Sequence, residues 1–357
     1  MKNGPGYESA RRADVVVIGG GPAGASAAIQ VAKAGLSVVV LERSAHGRDR
    51  PGETLHPGAE PLFEQLGIHR EVQSAGFPRH EGQWISSSGG FRFDQFGRDG
   101  DNPWRGFQVW RADFDEILLR HAKQLGTTVK RNCNVLKPLL DHGRVVGVMT
   151  ADEIIRSRVV IDASGGRQWL ARRLRLPITK ASPRLMVRYG YAERSPAAVA
   201  SEPFFISDQH GWTWIAPVKA DLVAWTRLRF DDNNSNSNPL PESLQDSKQR
   251  GPVRAADVTW RIATAAAGPG YFLAGDAASV VDPASSHGVL KAMMSGMMAA
   301  HLIIERAHRR VGEARASEIF SQWTQRWFEH DTRRLRQFYS TFPDCKEWPT
   351  VNVAPVS

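Results

Sequence analysis

Cysteine is nearly absent from this sequence: two residues in 357, Cys133 and Cys345, stand far apart. They form no CxxC pair and no His/Cys spacing of the kind that holds zinc. No disulfide framework and no metal site are therefore expected, and a reducing cytoplasm is the predicted location. Long apolar runs are missing as well. The most apolar stretches, Val15–Ile18, Val38–Leu41 and Val159–Ile161, are strand-length, far short of the ~20 residues a membrane-spanning helix needs. No integral membrane segment is predicted, and the mostly polar residues 1–13 offer no apolar core for a secretory signal. Acid is scarce in one region. Arg167, Arg172, Arg173, Arg175, Lys180, Arg184 and Arg188 all precede the first acid, Glu193, and a second basic cluster surrounds Arg306–Arg310 and Arg333–Arg336. No nucleic-acid-binding signature accompanies the net charge of +9, so these clusters read as solvated faces or a landing place for an acidic partner, not for nucleic acid.

What is present describes a globular chain. Hydrophobic residues make up 41% and charged residues 23%, which excludes disorder, and the length suits one large domain or two interlocked ones. The first clear unit is Asp14–Arg43. Val15–Ile18 is a β-branched run suited to a parallel strand buried on both faces. Gly19-Gly20-Gly21-Pro22-Ala23-Gly24 follows, then an Ala-rich helix to Ala34, then a second strand, Ser37–Leu41, ending at Glu42. In this βαβ order Gly19 makes the tight turn, Gly21 lets the backbone approach a pyrophosphate, and Gly24 lets helix pack on strand. Pro22 and Ala23 open the helix, whose free N–H groups and partial positive charge suit phosphates. Glu42 is placed to bind ribose hydroxyls and to repel a 2′-phosphate, despite the adjacent Arg43.

Beyond this unit, helices are predicted at Glu60–Leu66, Arg111–Leu125, Gly288–Ile304 and Ser317–Phe342. Short antiparallel strands are predicted in Trp84–Phe96. Thr128–Leu140, Gly143–Ala151 and Glu153–Ile161 read as a small β-meander, residues 184–230 as aromatic-rich strands, and Tyr271–Leu273 as a buried strand. Asn233–Asn238 reads as a loop tip.

Two segments late in the chain carry a resemblance. Leu273-Ala274-Gly275-Asp276-Ala277-Ala278 ends a strand, and Asp282-Pro283-Ala284-Ser285-Ser286-His287-Gly288 precedes a helix. Over residues 13–305 the chain resembles the flavin monooxygenases of the hydroxybenzoate-hydroxylase type. That resemblance implies FAD, with Gly275 and Asp276 at the ribityl chain and Pro283 and Gly288 bringing a helix N-terminus to the flavin pyrimidine edge. It also puts Arg111 near the FAD phosphates, the Asp162–Gly165 turn near the cofactor, and Val135 among the cofactor-binding positions. A finer resemblance is to the tryptophan halogenases. Pro51-Gly52-Glu53-Thr54-Leu55-His56-Pro57 is similar to their loop over the flavin, and Trp212-Thr213-Trp214-Ile215-Ala216-Pro217 to their WxWxIP motif, with Ala216 in place of Ile. Halogenation in that family passes through a lysine soon after the Gly-Glu loop. This chain has none between Lys33 and Lys123; Arg79 or Gln83 stands near the expected position. The chain is also shorter and lacks room for the halogenases' helical substrate cap. Hydroxylation is expected instead, and the closest likeness is to the flavoprotein maturases of quinone-cofactor oxidases (the LodB/GoxB type).

The resulting expectation is an α/β fold. A Rossmann-like FAD-binding domain of the hydroxybenzoate-hydroxylase type is drawn from 1–80, 103–175 and 265–305. A mixed β-sheet substrate domain comes from 81–102 and 176–264, and C-terminal helices from 306–357. The reaction implied is FAD-dependent monooxygenation of an electron-rich aromatic ring with O2, fed by NAD(P)H or a separate flavin reductase. The substrate implied is a tryptophan side chain of a partner protein. A free aromatic metabolite, a polyprenyl-lipid reductase activity and a flavin-bearing chaperone without turnover are the alternatives. His287 and Glu53 are the catalytic candidates, His287 through a hydrogen bond near the flavin ring or as acid/base, Glu53 by orienting substrate or bracing its loop. Trp212, Trp214 and His56 are candidates for the substrate pocket. Trp212 and Trp214, two apart on a strand, face the same side.

Overall fold

The computed structural model describes residues 11–47, 51–87, 90–193, 202–230, 240–342, 345 and 348. The Asn233–Asn238 tract lies outside the described residues. Seven helices are described: α1 (Pro22–Lys33), α2 (Glu60–Leu66), α3 (His69–Ser74), α4 (Arg111–Gln124), α5 (Trp169–Arg173), α6 (Gly288–Ala307) and α7 (Glu313–Tyr339).

The first sheet is built around the Val15–Ile18 run. Strand Arg11–Ile18 pairs in parallel with Val38–Leu41 on one side and Ile154–Asp162 on the other. Its residues Val15 to Val17 have no exposed surface, which is why the run needs no polar alternation. Tyr271–Leu273 adds to Ile154–Asp162, also in parallel. The expected meander is only partly formed. Val135–Asp141, Arg144–Thr150 and Ile154–Asp162 pair antiparallel, but Thr128–Lys130 lies on the opposite edge, parallel to Val38–Leu41. The stretch Thr128–Leu140 is broken into two strands, Thr128–Lys130 and Val135–Asp141, and Asn132 between them has a left-handed backbone (φ 53°) that no strand accommodates.

The second sheet runs Gln249–Asp257, Met186–Glu193, Leu222–Arg229, Gly211–Lys219, Phe204–Asp208, Gly82–Ser87 and Gly90–Gln95. All neighbours are antiparallel except Phe204–Asp208 with Gly82–Ser87. Helix α7 spans both cores. Ala316 and Phe320 belong to the core of the first sheet, whereas Phe328, Leu335 and Tyr339 pack with Trp212, Leu228 and Trp260 of the second. The architecture is the α/β arrangement that the motifs imply, with the two sheets facing one cleft.

One expectation about apolar content needs correcting. Helix α6 is long and apolar enough, by length and composition, to cross a membrane. It is a core helix here. A Cβ on Gly296 would meet the Ala23 carbonyl oxygen at 2.0 Å, so α6 and α1 touch backbone to backbone, and its Met293 and Ala299 have no exposed surface. Lys291, Ser295 and His301 interrupt its apolar run, so no unbroken apolar stretch marks this helix in the sequence.

Candidate functional site

A cavity of about 750 Å³ lies between the sheets, within the range of cofactor and ligand sites. Its lining begins at Gly21, Pro22 and Ala23, passes Arg111, Gly52, Glu53, Gly275 and Asp276, and ends on an aromatic wall of Phe205, Trp212 and Trp214.

The first turn of α1 shows why the glycines stand where they do. Gly19 has φ +100°, and a Cβ there would meet the Ala163 carbonyl at 2.4 Å; a Cβ on Gly24 would meet the Gly19 carbonyl at 2.0 Å. Both are packing positions between strand and helix. Gly21 differs: nothing lies within 4 Å of its Cβ position, so its backbone faces open cavity. Gly21 caps α1 with no side-chain hydrogen bond, which leaves the helix's first N–H groups turned to the same space. A second uncapped helix start, α6 at Gly288, opens into this cavity, with no acid in its first turn and nothing near the Gly288 Cβ position. Two helix N-termini aimed into one cavity favour an elongated ligand with negative charge at two places.

Glu42 stands beside rather than on the main wall. Its Oε2 accepts the Gly20 N–H and its Oε1 the Ser44 N–H, each at 2.8 Å. It lines a small side pocket with Gly20, Gly21 and His46, where it braces the glycine turn. Arg43 lines the cavity itself. Arg111 is buried and forked. Its Nη1 donates to the Pro51 carbonyl at 2.8 Å, and its other nitrogens to Asp115 on the next turn. The guanidinium thereby fixes the Pro51–Glu53 loop over the cavity, where Gly52 (φ +102°) approaches both Arg111 and Val289.

Glu53 is 7% exposed, and its Oε1 accepts the Tyr191 hydroxyl at 2.8 Å. Burial pushes its carboxyl up to about 7, against the opposing pull of Tyr191 and Arg111. A carboxyl that changes charge near neutrality, on a cavity wall, can hold or release a proton there. Asp276 is exposed on the cavity floor beside Gly275, and Pro283 and Gly288 line the same end. Trp214 Nε1–H donates to Thr54 at 3.2 Å and Trp212 Nε1–H to Tyr339 at 2.8 Å. With both indole N–H groups satisfied, the two rings serve as an apolar wall.

Three candidates fall elsewhere. Val135 begins an antiparallel strand and packs against the core of the first sheet, off the cavity lining. His287 and His56 are not among the lining residues either; their rings meet edge to face at 5.9 Å. His287 Nδ1 lies 3.8 Å from Asp331 of α7, because the left-handed Ser286 (φ 57°) turns the chain immediately before it. His56 Nδ1 accepts the Gly58 N–H at 3.0 Å, which places its proton on Nε2. Burial, then His287 and Arg334, hold it below the ordinary imidazole range. His80, on the short strand near the expected lysine position, donates from Nδ1 to the Gly82 carbonyl and is 2% exposed.

The sequence reading passed over Phe205, Tyr191, Arg254 and Tyr339. Phe205 pairs directly with Trp214 across neighbouring strands, so strand alternation could have placed it on the same face. Tyr191 and Tyr339 meet partners far away in sequence, and nothing local marks them.

Comparison with known proteins comes out consistently. A family model described as "FAD binding domain" matches residues 12–319. The chain is 30% identical to a 1H-pyrrole-2-carbonyl-(peptidyl-carrier protein) brominase of Pseudoalteromonas luteoviolacea, covering 81% of this chain and 77% of the relative. It is 27% identical to a tryptophan 2-halogenase of Chondromyces crocatus, over 91% of this chain and 67% of that protein. The structure of the myxobacterial chondrochloren halogenase CndH, described as a new variant of FAD-dependent halogenases, superposes with a TM-score of 0.84 at 27% identity, covering 92% of this chain and 83% of the other.

Proposed function

We propose, for a chain that belongs to the FAD-binding domain family, that it oxidises an electron-rich aromatic ring by direct transfer of an oxygen atom derived from O2. The observation that carries the reading is continuity: the glycine turn, the Asp276 floor and the Phe205–Trp214 wall all line one cavity. A ring held against that wall shares its space with the flavin.

The fit to FAD rests on this chain's own residues. The α1 N-terminus and Arg43 would hold the pyrophosphate, and Glu42 the ribose end. Asp276 would accept hydrogen bonds from the sugar-alcohol chain. The α6 N-terminus at Gly288 would stabilise negative charge at the pyrimidine edge. When bound and reduced, by NAD(P)H or a separate reductase, FAD with O2 supplies the electrophilic oxygen. The protein orients the ring on Phe205, Trp212 and Trp214 and excludes water with the loop that Arg111 pins. Glu53 Oε2 holds or releases the proton.

The finer reading keeps the ring on a partner protein, as a tryptophan side chain. The carrier-protein-bound pyrrole named for the brominase relative supports protein-borne presentation, and the basic segment Arg167–Arg188 would suit an acidic bearer. Halogenation is the second reading, favoured by the halogenases among the relatives. One experiment separates the two. Purified protein is given FAD, a flavin reductase, NADH, air and bromide with free indole, pyrrole, or a tryptophan-bearing partner. Mass spectrometry of the ring is expected to show added oxygen. A halogenated product without added oxygen overturns the proposal, and failure to bind FAD removes both readings.

A further inference from the structure

A line of hydrogen bonds runs behind the cavity, joining its aromatic wall to the turn before α6. Trp212 Nε1–H donates to the Tyr339 hydroxyl at 2.8 Å. Tyr339 in turn donates to Asp282 Oδ2, while Asp282 Oδ1 accepts the Ala284 N–H at 2.7 Å. Trp212, Tyr339 and Asp282 are 2%, 1% and 0% exposed. Both ends line the cavity, but the middle member does not. Tyr339 comes from the last turn of α7, and its ring is held between Trp348, stacked at 4.7 Å, and Trp260, edge-on at 5.6 Å. The hydroxyl has little freedom to find another partner.

We propose that Tyr339 is a positioning residue that couples the two ends of the cavity, locking the Asp282–Ser286 turn to the Trp212 wall. The inference deepens the flavin reading and rests on it. As a carboxylate Asp282 can only accept, so it holds Tyr339 and the Ala284 N–H at once and keeps Pro283 and the α6 start in place. The Trp212 N–H polarises the tyrosine hydroxyl and makes it a better donor. A change at the wall therefore reaches the turn through three hydrogen bonds without crossing the cavity. Burial pushes the Asp282 carboxyl up to about 6 against these donors. A proton on Oδ2 turns that oxygen into a donor toward Tyr339, so the tyrosine's own proton loses its acceptor and the line of donors running from Trp212 to the turn is broken. The titratable groups that face this carboxyl and its partner are Tyr339 and, behind it, Cys345.

The test is FAD affinity, read by quenching of flavin fluorescence from pH 5 to 8. In the wild type, binding should weaken as pH falls, with a midpoint near 6. Tyr339→Phe keeps the ring and removes one hydrogen bond to the carboxylate, so the midpoint should rise by about one pH unit. Trp212→Phe, at the far end, removes the N–H donor to Tyr339 together with part of the buried ring, and should move the midpoint the same way by less. Circular dichroism checks that each variant is folded. A wild-type profile flat across this range overturns the proposal whether or not the variants fold. An unmoved midpoint in folded Tyr339→Phe also overturns it, and an unmoved midpoint in folded Trp212→Phe removes the coupling to the wall. A wild type that binds no FAD at any pH would instead refute the flavin reading, and this inference with it.

Discussion

Replacing Glu53 by Gln should make the protein more stable at pH 8 and leave it nearly unchanged at pH 4. The ordinary carboxyl value is 4.5, and burial raises that of Glu53 to about 7. Between those values the folded state binds a proton that the unfolded chain has released, so stability falls as pH rises through the window. At about 1.4 kcal/mol per pH unit, the full cost of ionising Glu53 in place is about 3 kcal/mol above pH 7. The group is 7% exposed, so solvent screening reduces this only slightly. Gln matches the shape, still accepts the Tyr191 hydroxyl through its carbonyl, and carries no charge to desolvate. Urea unfolding of the purified proteins, followed by tryptophan fluorescence at pH 4, 6 and 8, measures the difference. Other titrating groups cancel between variant and wild type, so the gap should open with pH and reach about 2–3 kcal/mol. Two parallel stability curves, or a variant that loses ground at high pH, would show that Glu53 is charged and well solvated in the folded protein, and would remove it as a proton-holding group.

Further substitutions probe the site and its frame. Gly21→Val should fold normally, since its Cβ position is open, yet weaken FAD binding at least tenfold; Gly24→Ala should lose ~1–3 kcal/mol or more of stability by thermal melt, because its Cβ overlaps the Gly19 carbonyl. Asp276→Ala should lower FAD affinity by about 10- to 100-fold, the loss of ~1.5–3 kcal/mol for a charged hydrogen bond, in a fluorescence titration. Lys291 and Asp331 form a buried pair at 3.6 Å, 4% and 1% exposed on their side chains. Lys291→Met alone should destabilise by ~3–5 kcal/mol in chemical unfolding, and adding Asp331→Leu should recover most of the loss.

The parts of the site that were legible in the sequence are those where the backbone itself imposes a residue type. Gly19 and Gly24 are fixed by carbonyls that leave no room for a Cβ, and Val15–Ile18 by burial on both faces, so the βαβ unit could be read from local rules. Gly275, Asp276, Pro283 and Gly288 line the cavity, but they were found through a family likeness, because a Gly-Asp pair has no local geometry that announces a ligand. Side-chain direction was the weakest link. His287 stands one residue before α6, yet Ser286 in the left-handed region sends it toward Asp331, and no residue pattern signals that turn. Tyr339 reads as one more core aromatic on a helical stripe. Its hydroxyl matters only because the fold brings Trp212 and Asp282, 127 and 57 residues away, to either side of it.

The same geometry bears on which atom reaches the ring. A relay through an amine needs a lysine between flavin and substrate, and among the described residues the cavity lining contains arginines but no lysine. Lys291, three residues beyond Gly288, is turned onto Asp331, and Lys219 sits over the Trp110 ring at 4.7 Å. His80, on the strand where the relay residue would stand, has Nδ1 committed to the Gly82 carbonyl. Burial holds its pKa below the ordinary imidazole range, with the Gly82 bond opposing this. Its Nε2 faces Gly106, where even a Cβ would sit 2.6 Å away. An imidazole packed that tightly cannot carry a covalent halogen adduct without opening the Gly106 contact. Direct transfer within one cavity needs no such opening, which supports the proposed oxygen transfer over the halogenation that the relatives favour.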